Sequence, residues 1–216
     1  MPRRALAEKR PYLLASIAAA IAYYVLRDGA LGGIYLAAIK GAGVALLATY
    51  AWHRSRSNDV HLIAAVLAIA AAGDVVIEFS QVEGGALFFV SHLAALALYL
   101  QPRNRRTHLT GSQKAAAVAL LLLTPFAALL LSGEWTVALY ALALGGMAAS
   151  AWTSRFSRYH VGIGALLFVA SDLLLFARMG GAAGEPADLL VWPLYYVGQF
   201  LICTGVVQTL RRDHQA

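Results

Sequence analysis

VHLIAAVLAIAAAGDVVIEF, Val60 to Phe79, is twenty residues of almost unbroken apolar character with one aspartate, Asp74, set deep inside it. At ~1.5 Å per residue such a run, coiled as an α-helix, is about 30 Å long, the thickness of a bilayer's hydrocarbon layer. Its apolar residues do not alternate with polar ones, as a barrel strand would require, and an open strand cannot satisfy its backbone in lipid. The stretch therefore reads as a transmembrane helix.

Seven further runs of the same kind lie outward from it, at 11–27, 35–52, 84–100, 114–132, 135–152, 160–178 and 189–210, separated by short charged or glycine-rich breaks. Hydrophobic residues make up 60% of the chain and charged residues 13%, and the mean hydropathy is +0.67. That composition cannot be sorted into one core and one wet surface. The expected fold is all-α: a polytopic bundle of eight transmembrane helices, residues 1–216 as a single transmembrane domain. The longest break, 179–188, reads as a loop.

With the N-terminus placed in the cytoplasm, that side collects Arg3, Arg4, Lys9, Arg10, Arg54, Arg56, Arg103, Arg105, Arg106, Lys114, Arg155, Arg158, Arg211 and Arg212. The opposite side keeps Arg27 and Arg178. This asymmetry is the positive-inside pattern, and it predicts a multi-pass integral membrane protein with both termini cytoplasmic. The formal charge of +6 then reports topology and contact with anionic lipid. No nucleic-acid motif accompanies the scattered basic residues, so no nucleic-acid partner is expected. Trp52, Trp135, Trp152 and Trp192 fall at predicted boundaries and are expected to anchor at headgroup level. The first run continues past Tyr23, Tyr24 and Val25, which favours an uncleaved helix over a signal peptide. Cys203 is the single cysteine, so no disulfide forms within the chain.

Asp74 and Asp172 stand in similar surroundings, Ala72-Gly73-Asp74-Val75-Val76-Ile77 and Ala170-Ser171-Asp172-Leu173-Leu174-Leu175. A carboxylate at the centre of a membrane helix costs about 2.5–3.5 kcal/mol even on insertion scales, so each demands a reason. The two helices run in the same direction, which suggests two diverged four-helix halves in parallel. The offset that superposes the aspartates sets Ala138 against Lys40, so any duplication has diverged. From the predicted ends, Lys40, Asp74, His92, Asp172, Tyr195 and Gln199 all lie about 8–15 Å from the non-cytoplasmic side.

Each of these residues also has a purely structural reading. Lys40 and Asp74 could form a buried ion pair, and Glu78, one turn beyond Asp74 on the same face, could simply be solvated at the rim. His92 beside Ser91, and Tyr195 with Gln199, could hydrogen-bond neighbouring helices. Pro125 and Gly145-Gly146 are expected to adjust packing. No HExxH, GxSxG, CxxC or P-loop pattern occurs, so zinc peptidase, serine hydrolase and nucleotide-driven chemistry have no motif support. The spacing of two aspartates and a histidine demands no metal, and no cofactor is expected.

Gly73-Asp74, Phe88 to His92-Leu93, Gly164-Ala165-Leu166-Leu167-Phe168 leading to Ser171-Asp172, and Tyr195-Tyr196-Val197-Gly198-Gln199 together resemble the YhhN-type integral membrane family that includes the lysoplasmalogenases. The resemblance covers helices two to eight, its second half being the more specific. It implies hydrolysis of the vinyl ether bond of lysoplasmalogens, with a lysolipid in the bilayer as substrate. Asp74 and Asp172 would be catalytic, with Lys40, His92, Ser171, Tyr195 and Gln199 on the substrate side. Gly41 stands where the family often has proline after the lysine, and Ala95 where it often has tyrosine. Both departures bear on substrate choice more than on fold.

The chemistry suits such residues on independent grounds. Protonating the alkene carbon of a vinyl ether creates an oxocarbenium ion that water captures, which calls for one carboxyl carrying a proton and one ionised. Burial favours a carboxyl's neutral form and a nearby lysine its charged form, so a buried pair can divide these roles. Glycosidases solve the related problem with paired carboxylates. Asp74, within reach of Lys40, is expected to be the ionised partner and Asp172 the acid, both lining one pocket. The competing classes are a proton-coupled transporter using the same carboxylates and a lipid-binding protein without turnover.

Overall fold

The structure, a computed structural model, describes residues 10–54, 57–182 and 184–213. Arg3, Arg4, Lys9 and Arg56, four of the residues used to orient the chain, lie outside these. The chain is all-helical: α1 (Arg10–Leu26), α2 (Ile34–Trp52), α3 (Asn58–Val76), α4 (Gln81–Leu100), α5 (Gly111–Ser132), α6 (Trp135–Thr153), α7 (Ile163–Met179) and α8 (Glu185–Asp213). A 3₁₀ turn, Pro102–Asn104, follows α4, and a π-helical turn, Arg158–Gly162, leads into α7. Seven of the helices are long and apolar enough to cross a bilayer, and α1 contributes a shorter apolar helix, Pro11–Leu26. The protein is a multi-pass integral membrane protein.

Local chemistry sets the helix ends. The Ser57 side chain accepts the Val60 N–H and starts α3 two residues before the apolar run. Thr110 and Gln113 form a reciprocal capping box that starts α5 at Gly111, and Gly133, with φ 73°, ends it in the left-handed region. α3 ends at Val76, not 79, whereas α4 and α8 begin three and four residues before their hydropathy boundaries. Exposure is inverted relative to a soluble protein. α5 presents Val118, Leu121, Leu122, Leu123, Phe126 and Leu130 outward, while Asp74, His92 and Asp172 are buried. Lipid is the medium in which such an apolar exterior is stable.

Contacts divide the chain into two compact units, Met1–Ser91 with Leu210–Ala216, and His92–Thr209, so the boundary falls inside α4. In the first unit, Ser16 Oγ of α1 donates to the Gly43 carbonyl of α2 (2.5 Å). Gly41 lets α2 approach α3 closely, since a Cβ there would stand 2.5 Å from Val75 Cγ2 and 3.0 Å from the Ala71 carbonyl oxygen. Val44, Leu47, Ile63 and Leu67 fill the space below.

The second unit relies on the same device. A Cβ on Gly145 of α6 would meet the Leu120 carbonyl of α5 at 2.6 Å and Thr124 at 3.1 Å, so the expected packing role of this glycine is observed. Gly164 of α7 and Gly198 of α8 face one another, each hypothetical Cβ 2.7 Å from the other's carbonyl oxygen. Small residues at such crossings are what association in lipid requires. At one end of the unit, Asn104 donates to the Leu98 carbonyl and accepts from Arg155 Nε, while Arg106 Nε donates to the Ser154 carbonyl.

The tryptophans separate into two kinds. Trp52 and Trp135 are exposed, Trp135 at 73%, as interfacial anchors should be. Trp192 is only 6% exposed and stacks on Tyr196, so it serves the interior and the anchoring expectation is corrected for it, while Trp152 is half-buried and packs against Gly162 near the end of α6. α8 starts early enough to carry Trp192 two turns into the helix.

Candidate functional site

In the first unit the site is built on the close α2–α3 crossing. Because Gly41 admits Ala71 and Val75, its neighbour Lys40 is held beside the last turn of α3, which carries Asp74. Lys40 Nζ contacts Glu78 Oε1 at 2.6 Å, and the Tyr23 hydroxyl of α1 donates to the same oxygen at 3.2 Å. Lys40 Nζ also lies 5.4 Å from the centre of the Tyr23 ring, within range of a cation–π attraction. Asp74, 1% exposed, is close enough to Tyr23 to act on it electrostatically. Glu78 is exposed, at the rim as the sequence suggested, and it is also the ion-pair partner of Lys40. α3 ends at Val76, and the turn that follows carries the Glu78 carboxylate to Lys40 of α2 and Tyr23 of α1.

Gly73 has a separate task. A Cβ on it would lie 3.1–3.3 Å from three carbons of the Phe88 ring, so the bare backbone at this point lets α4 settle on α3 one residue before Asp74. On the next helix Ser91 Oγ donates to the Val66 carbonyl, 3.0 Å away, an interhelical bond of the kind expected there.

The second unit holds Asp172, 6% exposed, on α7. The Tyr140 hydroxyl of α6 donates to Asp172 Oδ2 at 2.7 Å, and His92 Nε2 of α4 lies 2.9 Å from that same hydroxyl. Three helices thus contribute one hydrogen-bonded row. Aromatic rings brace it. The His92 and Phe168 ring centres are 4.9 Å apart, Tyr140 packs edge-on against Phe176 at 5.8 Å, and Phe168 packs against Tyr195 at 5.0 Å. His92, read from sequence as either an interhelical bond or a site residue, makes an interhelical bond, to Tyr140 of α6. Its partner Tyr140 was not singled out in the sequence, nor was Tyr23.

Ser171 does not present a free hydroxyl proton to a substrate, because Oγ donates to the Val191 carbonyl of α8 at 2.8 Å. That bond, the Phe168–Tyr195 contact and the Gly164–Gly198 crossing fix the antiparallel register of α7 and α8. Gln199 then stands level with Gly164, about 12 Å along the helix axis from Asp172, with Tyr195 about 6 Å from it. Tyr195 is joined to the Asp172 row through Phe168, and Gln199 is in a separate layer. Measured from the observed ends, Asp74 is about 3 Å from the end of α3, Lys40 about 9 Å into α2 and His92 about 16 Å into α4.

Chemically, the first unit offers a lysine paired with Glu78 and, one helical turn before Glu78, the buried Asp74, and the second a carboxyl oxygen held by a neutral phenol among aromatic rings. Among the described residues no group of three or more His, Cys, Asp or Glu side chains is placed to hold a metal ion. No curated protein and no solved structure matches the chain. The model of the YhhN family matches residues 35–206. That span begins with α2 and takes in Lys40, both aspartates, the Tyr140 row and Tyr195 with Gln199, and on this ground the chain belongs to the YhhN family, which includes the lysoplasmalogenases.

Proposed function

We propose that the protein is a membrane-embedded hydrolase that cleaves the vinyl ether bond of lysoplasmalogens, releasing a fatty aldehyde and a glycerophospho-base. The observation that carries this reading is the burial of Asp172 with one carboxyl oxygen tied to Tyr140, in a chain of a family that includes such hydrolases. A buried carboxyl without a cation among its hydrogen-bond partners is suited to hold a proton and deliver it to carbon.

Asp172 gives its proton to the alkene carbon remote from the ether oxygen, leaving an oxocarbenium ion. Asp74, ionised in a neighbourhood containing Lys40, stabilises positive charge and takes a proton from the attacking water. The hemiacetal then collapses: the carbon–oxygen bond to glycerol breaks, the glycerol oxygen takes the proton that Asp74 received from water, and the hemiacetal hydroxyl gives its proton up to restore Asp172 as the aldehyde forms. One water is consumed and the protein ends unchanged. The single acyl-like chain of a lysolipid is the substrate part that a helix bundle in lipid can receive directly, with its headgroup at the surface.

The test is incubation of purified protein with a lysoplasmenyl lipid and with its saturated ether analogue. Long-chain aldehyde should appear from the first only, and Asp172→Asn or Asp74→Asn should lower turnover by at least about a hundredfold. Wild-type turnover in both variants would remove the mechanism. The proton-coupled transporter using the same carboxylates would instead give substrate flux in proteoliposomes with no chemical product.

A further inference from the structure

We propose that His92 and Tyr140 are positioning residues that set the state of Asp172, through a row of hydrogen bonds that runs in one direction, from His92 Nε2 to the Tyr140 hydroxyl to Asp172 Oδ2. This rests on the reading of Asp172 as the acid. A phenol carries one proton and donates once. Tyr140 spends that proton on Asp172 Oδ2 at 2.7 Å, so its 2.9 Å contact with His92 must be one in which it accepts. A neutral His92 is therefore the Nε2–H tautomer.

The surrounding rings keep the row from turning. His92 is held edge-on between Tyr140, at 5.3 Å and 73°, and Phe168, at 4.9 Å and 75°. Tyr140 is in turn set against Phe176 at 87°. Rotating either polar ring would displace an aromatic neighbour, and His92 is 2% exposed, with almost no water in contact to take a lost partner's place.

The consequence for Asp172 is specific. With Oδ2 occupied as an acceptor, the acid's proton resides on Oδ1, which becomes the oxygen that addresses the substrate. When that proton leaves, negative charge grows on a carboxylate already receiving a hydrogen bond, so the benefit of Tyr140 is larger in the transition state than in the bound complex. The opposite polarity, with the proton on Oδ2 and Tyr140 donating to His92, would put the histidine proton on Nδ1.

The test uses the full chain with ¹⁵N-labelled histidine, in which His92→Gln identifies the His92 signals among those of the six histidines. The expected state is Nε2–H, and Tyr140→Phe should move the His92 Nε2 resonance while leaving the other histidines in place. In the aldehyde assay Tyr140→Phe should lower kcat by about tenfold to a hundredfold, the range set by one hydrogen bond to a charged group, with KM within about twofold. An Nδ1–H tautomer, or a Tyr140→Phe variant with wild-type kcat and an unmoved His92 signal, overturns the proposal. If wild-type protein releases no aldehyde while His92 is the Nε2–H tautomer, the hydrolase reading fails and the polarity of the row stands.

Discussion

Replacing Gly198 by alanine puts a methyl group 2.7 Å from the Gly164 carbonyl oxygen and 3.2 Å from the Phe168 backbone nitrogen. Neither neighbour is the far end of a flexible side chain, so α7 and α8 must part by about 0.7 Å to restore an ordinary contact. Overpacking of this kind costs about 1–3 kcal/mol. Phe168, which carries the edge-on contacts to His92 and Tyr195, moves with α7. The expected result is a thermal midpoint lower by about 2–12 °C, taking about 2–4 °C per kcal/mol for a chain of this size.

Gly164→Ala makes the reciprocal contact, 2.7 Å from the Gly198 carbonyl oxygen. Once either methyl group has parted the helices, much of the room needed by the second exists. The double variant should therefore cost less than the sum of the two, by about 0.5–3 kcal/mol of coupling. Gly146→Ala serves as control, because its Cβ would meet only Leu121 Cδ1 at 3.8 Å, and alanine gains about 0.5–1 kcal/mol over glycine in a helix. Circular dichroism melts in detergent measure all four. Neutral single variants at 164 and 198, or strictly additive losses, would refute the claim that these two backbones touch.

Two further outcomes follow from hydrogen bonds and charges already described. Ser171→Ala removes the interhelical bond to the Val191 carbonyl, so stability should fall by about 1 kcal/mol while aldehyde release stays within about threefold of wild type; a tenfold loss of turnover at unchanged stability would return Ser171 to the substrate side. Lys40→Met should cost more in the wild-type background than in Glu78→Leu, because in the latter the 2.6 Å partner is already gone, and equal losses in the two melts would show that the pair contributes nothing.

The helix class was legible because it rests on long apolar runs, and no packing detail can reverse that in lipid. The start of α8 was not, since the glycine-rich break hid it. Yet Glu185-Pro186 with Asp188 is a helix-start signature, an acidic first turn and a proline where a missing N–H costs nothing. Asp74 and Asp172 declared themselves by the cost of a carboxylate in hydrocarbon. Tyr140 could not, because a phenol in an apolar helix is routine and the significance of this one depends on which residues of α4 and α7 face it. The pairing of Glu78 with Lys40 was hidden for a related reason. Hydropathy carried α3 to Phe79, which left Glu78 at a straight helix end, whereas the helix stops at Val76 and the chain turns that carboxylate back to Lys40 and Tyr23.

The likeness of Ala-Gly-Asp and Ala-Ser-Asp, which first drew attention to both stretches, has a mechanical content that composition alone does not reveal. In each unit the residue before the aspartate joins its helix to the next one. Gly73 does so by having no side chain, leaving room for the Phe88 ring of α4, and Ser171 does so by donating to the Val191 carbonyl of α8. The two solutions are not interchangeable. A hydroxymethyl at 73 would push into a ring already at 3.1–3.3 Å, while a glycine at 171 would merely remove one side-chain hydrogen bond. Placing the packing residue directly beside the aspartate ties each aspartate to a helix crossing, and for Asp172 the proposed proton transfer would need such a fixed position. The dipeptide is therefore informative as a pair, in a way that either residue alone is not.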